Sequence, residues 1–147
     1  MAKFVFRVDA SVEIGTGHVM RCLTLADALV KEGSHCEFIC REHSGHLGEL
    51  IRSKGYRAHY LPMTHNRDDD GMHGLWLGAT STEDAEMSQP IINTLRPDWL
   101  VVDHYALDTK WETAMRPYCG KILIIDDLAD RRHDCEILLD QTWGRNE

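Results

Sequence analysis

Two stretches of this chain are apolar without interruption: Trp99-Leu100-Val101-Val102 and, after Lys121, Ile122-Leu123-Ile124-Ile125. A strand with one face in water alternates apolar and polar residues. An unbroken run of this length instead predicts a strand buried on both faces, as in parallel sheets covered by helices on either side. The rest of the chain is punctuated to match. Residues 4–8 form a β-branched and aromatic run, and from Val19 the apolar positions Cys22, Leu23, Ala26, Leu29 and Val30 recur at helical spacing as far as Gly33. A second strand is expected over residues 35–41, a short helix over 46–54 ending at Gly55, and a third strand over 57–61 closed by Pro62.

Between Pro62 and Thr82 the periodicity lapses, as in a functional or mobile loop. Ser81 or Thr82 can cap a helix running towards Leu95, with Glu83 and Asp84 at its positive end. Pro90 is expected to kink that helix or split it. The Trp99 strand follows, then a helix containing Trp111, Ala114 and Met115 that stops near Pro117. The Ile122 strand comes next, and a last strand is expected over residues 135–139. The expectation is one α/β domain over residues 1–147, a parallel sheet with helices on both faces.

Composition narrows the function classes. The formal net charge is −8, so the phosphate backbone of nucleic acid gains nothing from this chain as a whole. No window holds ~18 uninterrupted apolar residues, so a membrane-spanning helix is not expected. The first residues lack the apolar run of a secretory signal, and a cytoplasmic location is the default. Cys22, Cys36, Cys40, Cys119 and Cys135 are odd in number with no C-x-x-C spacing, which predicts buried thiols rather than a disulfide framework or a zinc ribbon.

Three apolar runs end in polar residues: Val8-Asp9, Val102-Asp103-His104-Tyr105 and Ile125-Asp126-Asp127. In an open parallel sheet these ends share one edge, where ligands bind, so residues about a hundred positions apart should converge. The competing reading is that each Asp caps the next turn or helix. Between the first strand and the first helix lies Gly15-Thr16-Gly17-His18. Glycines there let a ligand approach the backbone, and the helix start presents free N–H groups. It is neither a full G-x-G-x-x-G nor a phosphate-binding loop followed by Lys-Ser/Thr. His18 at a helix start is disfavoured as an imidazolium, and a neutral ring can act as a general base; the alternative is a capping or surface histidine. Arg21, one turn on, can reach an anionic ligand or pair with an Asp. Asp68-Asp69-Asp70 near His65 and His73 has no metal-loop pattern and reads as a solvated loop, and His43-Ser44-Gly45-His46 lacks identifiable partners for zinc.

Arg7-Val8-Asp9-Ala10-Ser11, Gly15-Thr16-Gly17-His18-Val19-Met20-Arg21-Cys22-Leu23, Trp76-Leu77-Gly78, Asp103-His104-Tyr105 with Leu107-Asp108 and Trp111-Glu112, and Ile125 through Arg131 followed by His133-Asp134-Cys135 together resemble one family. It is the UDP-2,4-diacetamido-2,4,6-trideoxy-β-L-altropyranose hydrolases of pseudaminic acid biosynthesis, the PseG family. The resemblance implies a GT-B-like fold of two Rossmann-type domains with the active site in the cleft between them. It also implies hydrolysis of the anomeric C–O bond of a UDP-sugar without metal or cofactor. His18 is then the expected catalytic base, and Asp9, Asp103, His104 and Tyr105 are sugar-side candidates beside Gly15, Gly17 and Arg21. Family members are roughly twice as long. The expectation is that this chain is the N-terminal half, lacking the nucleotide-binding C-terminal domain, and that alone it turns over its substrate poorly. A MurG-like glycosyltransferase half and a non-catalytic binding module of the same fold are the rivals.

Overall fold

The computed structural model describes residues 1–12, 14–63, 77–126 and 132–140. Six strands form one all-parallel sheet: β1 (Lys3–Val8), β2 (His35–Arg41), β3 (Arg57–Leu61), β4 (Trp99–Asp103), β5 (Lys121–Ile125) and β6 (Ile137–Leu139). Their spatial order is β3-β2-β1-β4-β5-β6. The helices are α1 (Gly17–Lys31), α2 (Gly48–Ser53), α3 (Ser81–Leu95) and α4 (Thr109–Met115), with a 3-10 turn over Arg116–Tyr118. The strand order reverses between β1 and β4, and that switch point is where open α/β sheets bind ligands.

Side-chain alternation along the strands divides the core in two. Phe6, Val8, Phe38 and Val101 pack with Val19, Cys22, Leu23 and Ala26 of α1 on one face. Val5, Ile39, Leu100 and Val102 pack with Ile92 of α3 and with Trp111 and Met115 of α4 on the other. Both faces of β1 and β4 are therefore covered, as their continuous apolar runs require.

Local signals set the helix ends. α1 stops in a Schellman motif: Gly33 takes φ +91°, its N–H donates to Val30 O, and Ser34 N–H donates to Leu29 O. α3 opens with a reciprocal capping box, Glu83 N–H donating to Thr80 Oγ1 and Thr80 N–H to Glu83 Oε1. The cap is thus Thr80, one residue before the expected Ser81 and two before Thr82. Pro90 does not split α3, which runs unbroken to Leu95. Asp84 and Ser88 ahead of the proline and Ile92 beyond it are all buried, so packing on both sides outweighs the lost backbone hydrogen bond. α1 begins at Gly17, α2 begins later than expected, at Gly48, and the last strand opens at Ile137 rather than 135.

Cys22, Cys36 and Cys40 are buried, Cys119 and Cys135 half-buried, and all five are free thiols. Among the described residues no helix is long and apolar enough to cross a membrane. The Asp68-Asp69-Asp70 run, His65, His73, Trp76 and residues 127–131 lie outside the described residues.

Candidate active site

Parity along two neighbouring strands places the principal acids. Val8 pairs with Asp103 across β1 and β4. Asp103 shares its parity with Val101 and so turns to the α1 face. Asp9 shares its parity with Val5 and Arg7 and turns towards α3. At the switch point the two groups come back together on the walls of a narrow crevice lined by Asp9, Ile14, His18, Asp103, His104 and Tyr105. Sequence reasoning anticipated five of these six.

On the α1 side, Asp103 is held from below. Arg21 grips it as a fork, Nε to Oδ2 at 2.5 Å and a terminal nitrogen to Oδ1 at 2.6 Å. His18 Nδ1 lies 2.6 Å from Oδ1. A carboxylate only accepts, so Nδ1 carries the proton and donates it, which leaves Nε2 as the ring's lone-pair nitrogen. The 3.4 Å approach of Arg21 to the same Nδ1 is then a contact of two donors, not a hydrogen bond. Tyr105 stands edge-on to the imidazole, ring centroids 4.6 Å apart. Burial alone would raise the pKa of Asp103, but the hydrogen bonds from Arg21 and His18 hold it below the usual carboxylate value. The same burial and the nearby Asp103 push the Cys22 thiol well up, so it is no nucleophile.

On the α3 side, Asp9 is 1% exposed and its oxygens are engaged by the protein. Arg7 reaches both, at 2.7 and 3.2 Å, and Arg41 N–H donates to Oδ1 at 2.7 Å. His43 and His104 approach Oδ2 at 3.2 and 2.9 Å. Burial works against this charge, but Arg7 and the two imidazoles keep Asp9 well below its ordinary pKa. Arg7 and Arg41 converge again on Asp84 of α3, which also takes hydrogen bonds from Ser88 and from the Trp111 indole. His104 accepts from Ala106 N–H at Nδ1 and donates from Nε2 to Asp9. Burial lowers its pKa, so it is a neutral ring with both nitrogens occupied. Asp9 and His104 therefore form the floor of the crevice, with no nitrogen or oxygen to spare for acid–base work.

The turn from β1 into α1 is tight. Ser11 O accepts from Gly15 N–H, its hydroxyl accepts from Ile14 N–H, and Gly15 takes φ +85°, which favours glycine. Gly17 has open space where a Cβ would stand. Arg21, left open between ligand and acid, forks onto Asp103.

Of the third strand end, Asp127 lies outside the described residues and Asp126 does not line the crevice. Asp126 accepts from His133 Nε2 at 2.7 Å, and Nδ1 of the same ring lies 2.6 Å from Glu112 on α4. That bridge ties the segment after β5 to α4. His43 goes to Asp9, and His46 lies edge-on to Tyr60, so neither meets the other over a metal. Arg7, Arg41 and Asp84 were missed at the sequence level. Their one signal was Arg7, a charge inside an apolar strand.

Fold and site together define a Rossmann-like α/β domain with a crevice at the β1/β4 switch point. Its fold is shared with the crystal structure of Acinetobacter baumannii MurG, at a TM-score of 0.63 and 12% identity over 86% of this chain and 36% of that one. In sequence the chain is similar to the UDP-2,4-diacetamido-2,4,6-trideoxy-beta-L-altropyranose hydrolase of Campylobacter jejuni, 28% identical over 141 residues. The match takes in 93% of this chain and 40% of that relative, so the chain spans about two fifths of the relative's length. No family model matches the chain.

Proposed function

We propose that this chain is the sugar-side, catalytic-base domain of a UDP-sugar hydrolase of the PseG type, acting in the cytoplasm on a diacetamido-trideoxy sugar of pseudaminic acid biosynthesis. The observation that carries the reading is His18. Its Nδ1 is anchored on Asp103, and its Nε2 has no protein partner among the described residues, at a ring that lines the switch-point crevice. Such a nitrogen accepts a proton from water as the water oxygen attacks the anomeric carbon. The bond from that carbon to the diphosphate oxygen breaks, and UDP leaves with the bonding pair. Asp103 stabilises the imidazolium that results.

The crevice also supports a division of labour. The crevice is narrow and lined by six residues, whereas pockets for whole small molecules run to roughly 300–1,000 Å³. The uridine and diphosphate then require surface from a second domain, in line with the two-fifths coverage of the hydrolase relative. A MurG-like transferase half is the second reading, favoured by the shared fold alone.

The test uses a chimaera in which this chain replaces the matching part of the Campylobacter relative. UDP release from the diacetamido-trideoxy UDP-sugar is measured with and without sugar acceptors. Release that needs no acceptor supports hydrolysis; release only with an acceptor supports the transferase. The isolated chain is expected to release UDP very slowly, and a rate equal to that of the chimaera contradicts the two-domain reading.

A further inference from the structure

The fork between Arg21 and Asp103 does something the base itself does not require. A carboxylate free to turn behind an imidazole fixes neither the ring's orientation nor its tautomer. Here a guanidinium reaches both carboxylate oxygens, at 2.5 and 2.6 Å, and lies 3.4 Å from the imidazole nitrogen. We infer that Arg21 is a positioning residue: its fork holds the Asp103 carboxylate still, so that Asp103 locks His18 as the Nδ1–H tautomer. This deepens the reading of His18 as the base and rests on it for its functional meaning.

Among the described residues, Asp103 is the acceptor that holds the ring. From its own helix His18 meets Arg21, from the end of β4 it meets Asp103, and from the turn beyond it meets Tyr105. Asp9 and His104 line the same crevice, but Asp9 is already compensated by Arg7 and His104 is held neutral. Asp103 thus sets the tautomer of the ring, and Arg21 sets the position of Asp103. The lysine alternative is not equivalent, because a point charge cannot hold both oxygens in one plane.

Long-range proton–nitrogen NMR of the chain labelled with ¹⁵N-histidine reads the tautomer without substrate, His18 being assigned by the signals lost in His18→Ala. At pH 8 the parent ring is expected as the Nδ1–H tautomer. In Arg21→Gln the ring is expected as a mixture of Nδ1–H and Nε2–H forms, and Arg21→Lys should give a similar mixture. In Asp103→Asn, with Arg21 retained, the preference for Nδ1–H should likewise be lost. The lysine variant keeps the test decisive if Arg21→Gln does not fold. An Nε2–H ring in the parent, or an unchanged Nδ1–H preference in whichever of these variants gives a folded amide spectrum, overturns the inference. If the ring behaves as described but UDP release by the chimaera is indifferent to His18→Ala, the functional reading falls and the positioning one stands.

Discussion

Asp9 and His104, 95 positions apart in the chain, are joined by a 2.9 Å hydrogen bond from Nε2 to Oδ2 that ties the exits of the adjacent strands β1 and β4. The ring gives its other nitrogen to Ala106 N–H. The turn carrying Tyr105 is therefore fastened to the strand that leads into the His18 turn. Because burial depresses the pKa of His104, the unfolded chain binds this proton more readily than the folded one below about pH 6.5. The contribution of His104 is present above that pH and is lost as pH falls towards its lower folded value. His104→Gln should cost on the order of 1–3 kcal/mol at pH 7.5. The gap from the parent should narrow by pH 5.5 in denaturant titrations, and a gap that widens towards acid would contradict this account.

Asp84 receives Arg7, Arg41, Ser88 and Trp111 in the buried layer behind the site. Asp84→Ala leaves two guanidinium groups without their shared acid and should destabilise by about 3–5 kcal/mol. Arg116→Gln, which breaks a solvated pairing with Asp134 and Glu136, should cost under about 1 kcal/mol. Equal effects of the two substitutions in chemical denaturation would mean that the buried network contributes no more than the surface one.

His133 behaves oppositely to His104. Burial alone would lower its pKa, but hydrogen bonds from the ring to Asp126 and Glu112 outweigh that and raise it to about 9. A folded pKa above the unfolded value of about 6.5 stabilises fully below 6.5, and the contribution is lost as pH rises to about 9. His133→Gln should therefore be less stable than the parent by on the order of 1–3 kcal/mol at pH 6. The two should approach one another by pH 9.5, and a gap constant across that window rules the charged bridge out.

Gly17 lies in the first turn of α1, and a methyl group added at its Cα would meet nothing within 4 Å. Gly17→Ala should leave stability unchanged or raise it by up to about 1 kcal/mol, since alanine is the better helix former. If the empty space serves a ligand approaching the helix start, the same substitution should raise KM for the UDP-sugar in the chimaera. Undiminished affinity would remove Gly17 from the binding surface.

The sheet was largely legible because its strands are bounded by Gly33, Gly55, Pro62 and Pro97, and β2, β3 and β5 occupy the expected residues. The convergence of Asp9 with Asp103, His104 and Tyr105 followed from strand direction. What each does at the rim did not, because partners are chosen across tertiary distance. Arg21 finds Asp103 82 positions away, and Asp126, which looks like a third rim acid, is bridged through His133 to Glu112. The burial of Arg7 was foreshadowed by its place between Phe6 and Val8, but its pairing with Asp84 depends on how α3 crosses the sheet.

The central claim is that His18, held by Asp103, delivers water to an anomeric carbon. Its most direct test is UDP-sugar cleavage by the chimaera in ¹⁸O-water, with mass analysis of both products and the rate compared with His18→Ala. The account predicts the label in the free sugar, none in UDP, and a rate lower by about 10²–10⁴-fold in the variant. Label in the diphosphate, or a rate untouched by the loss of His18, contradicts it.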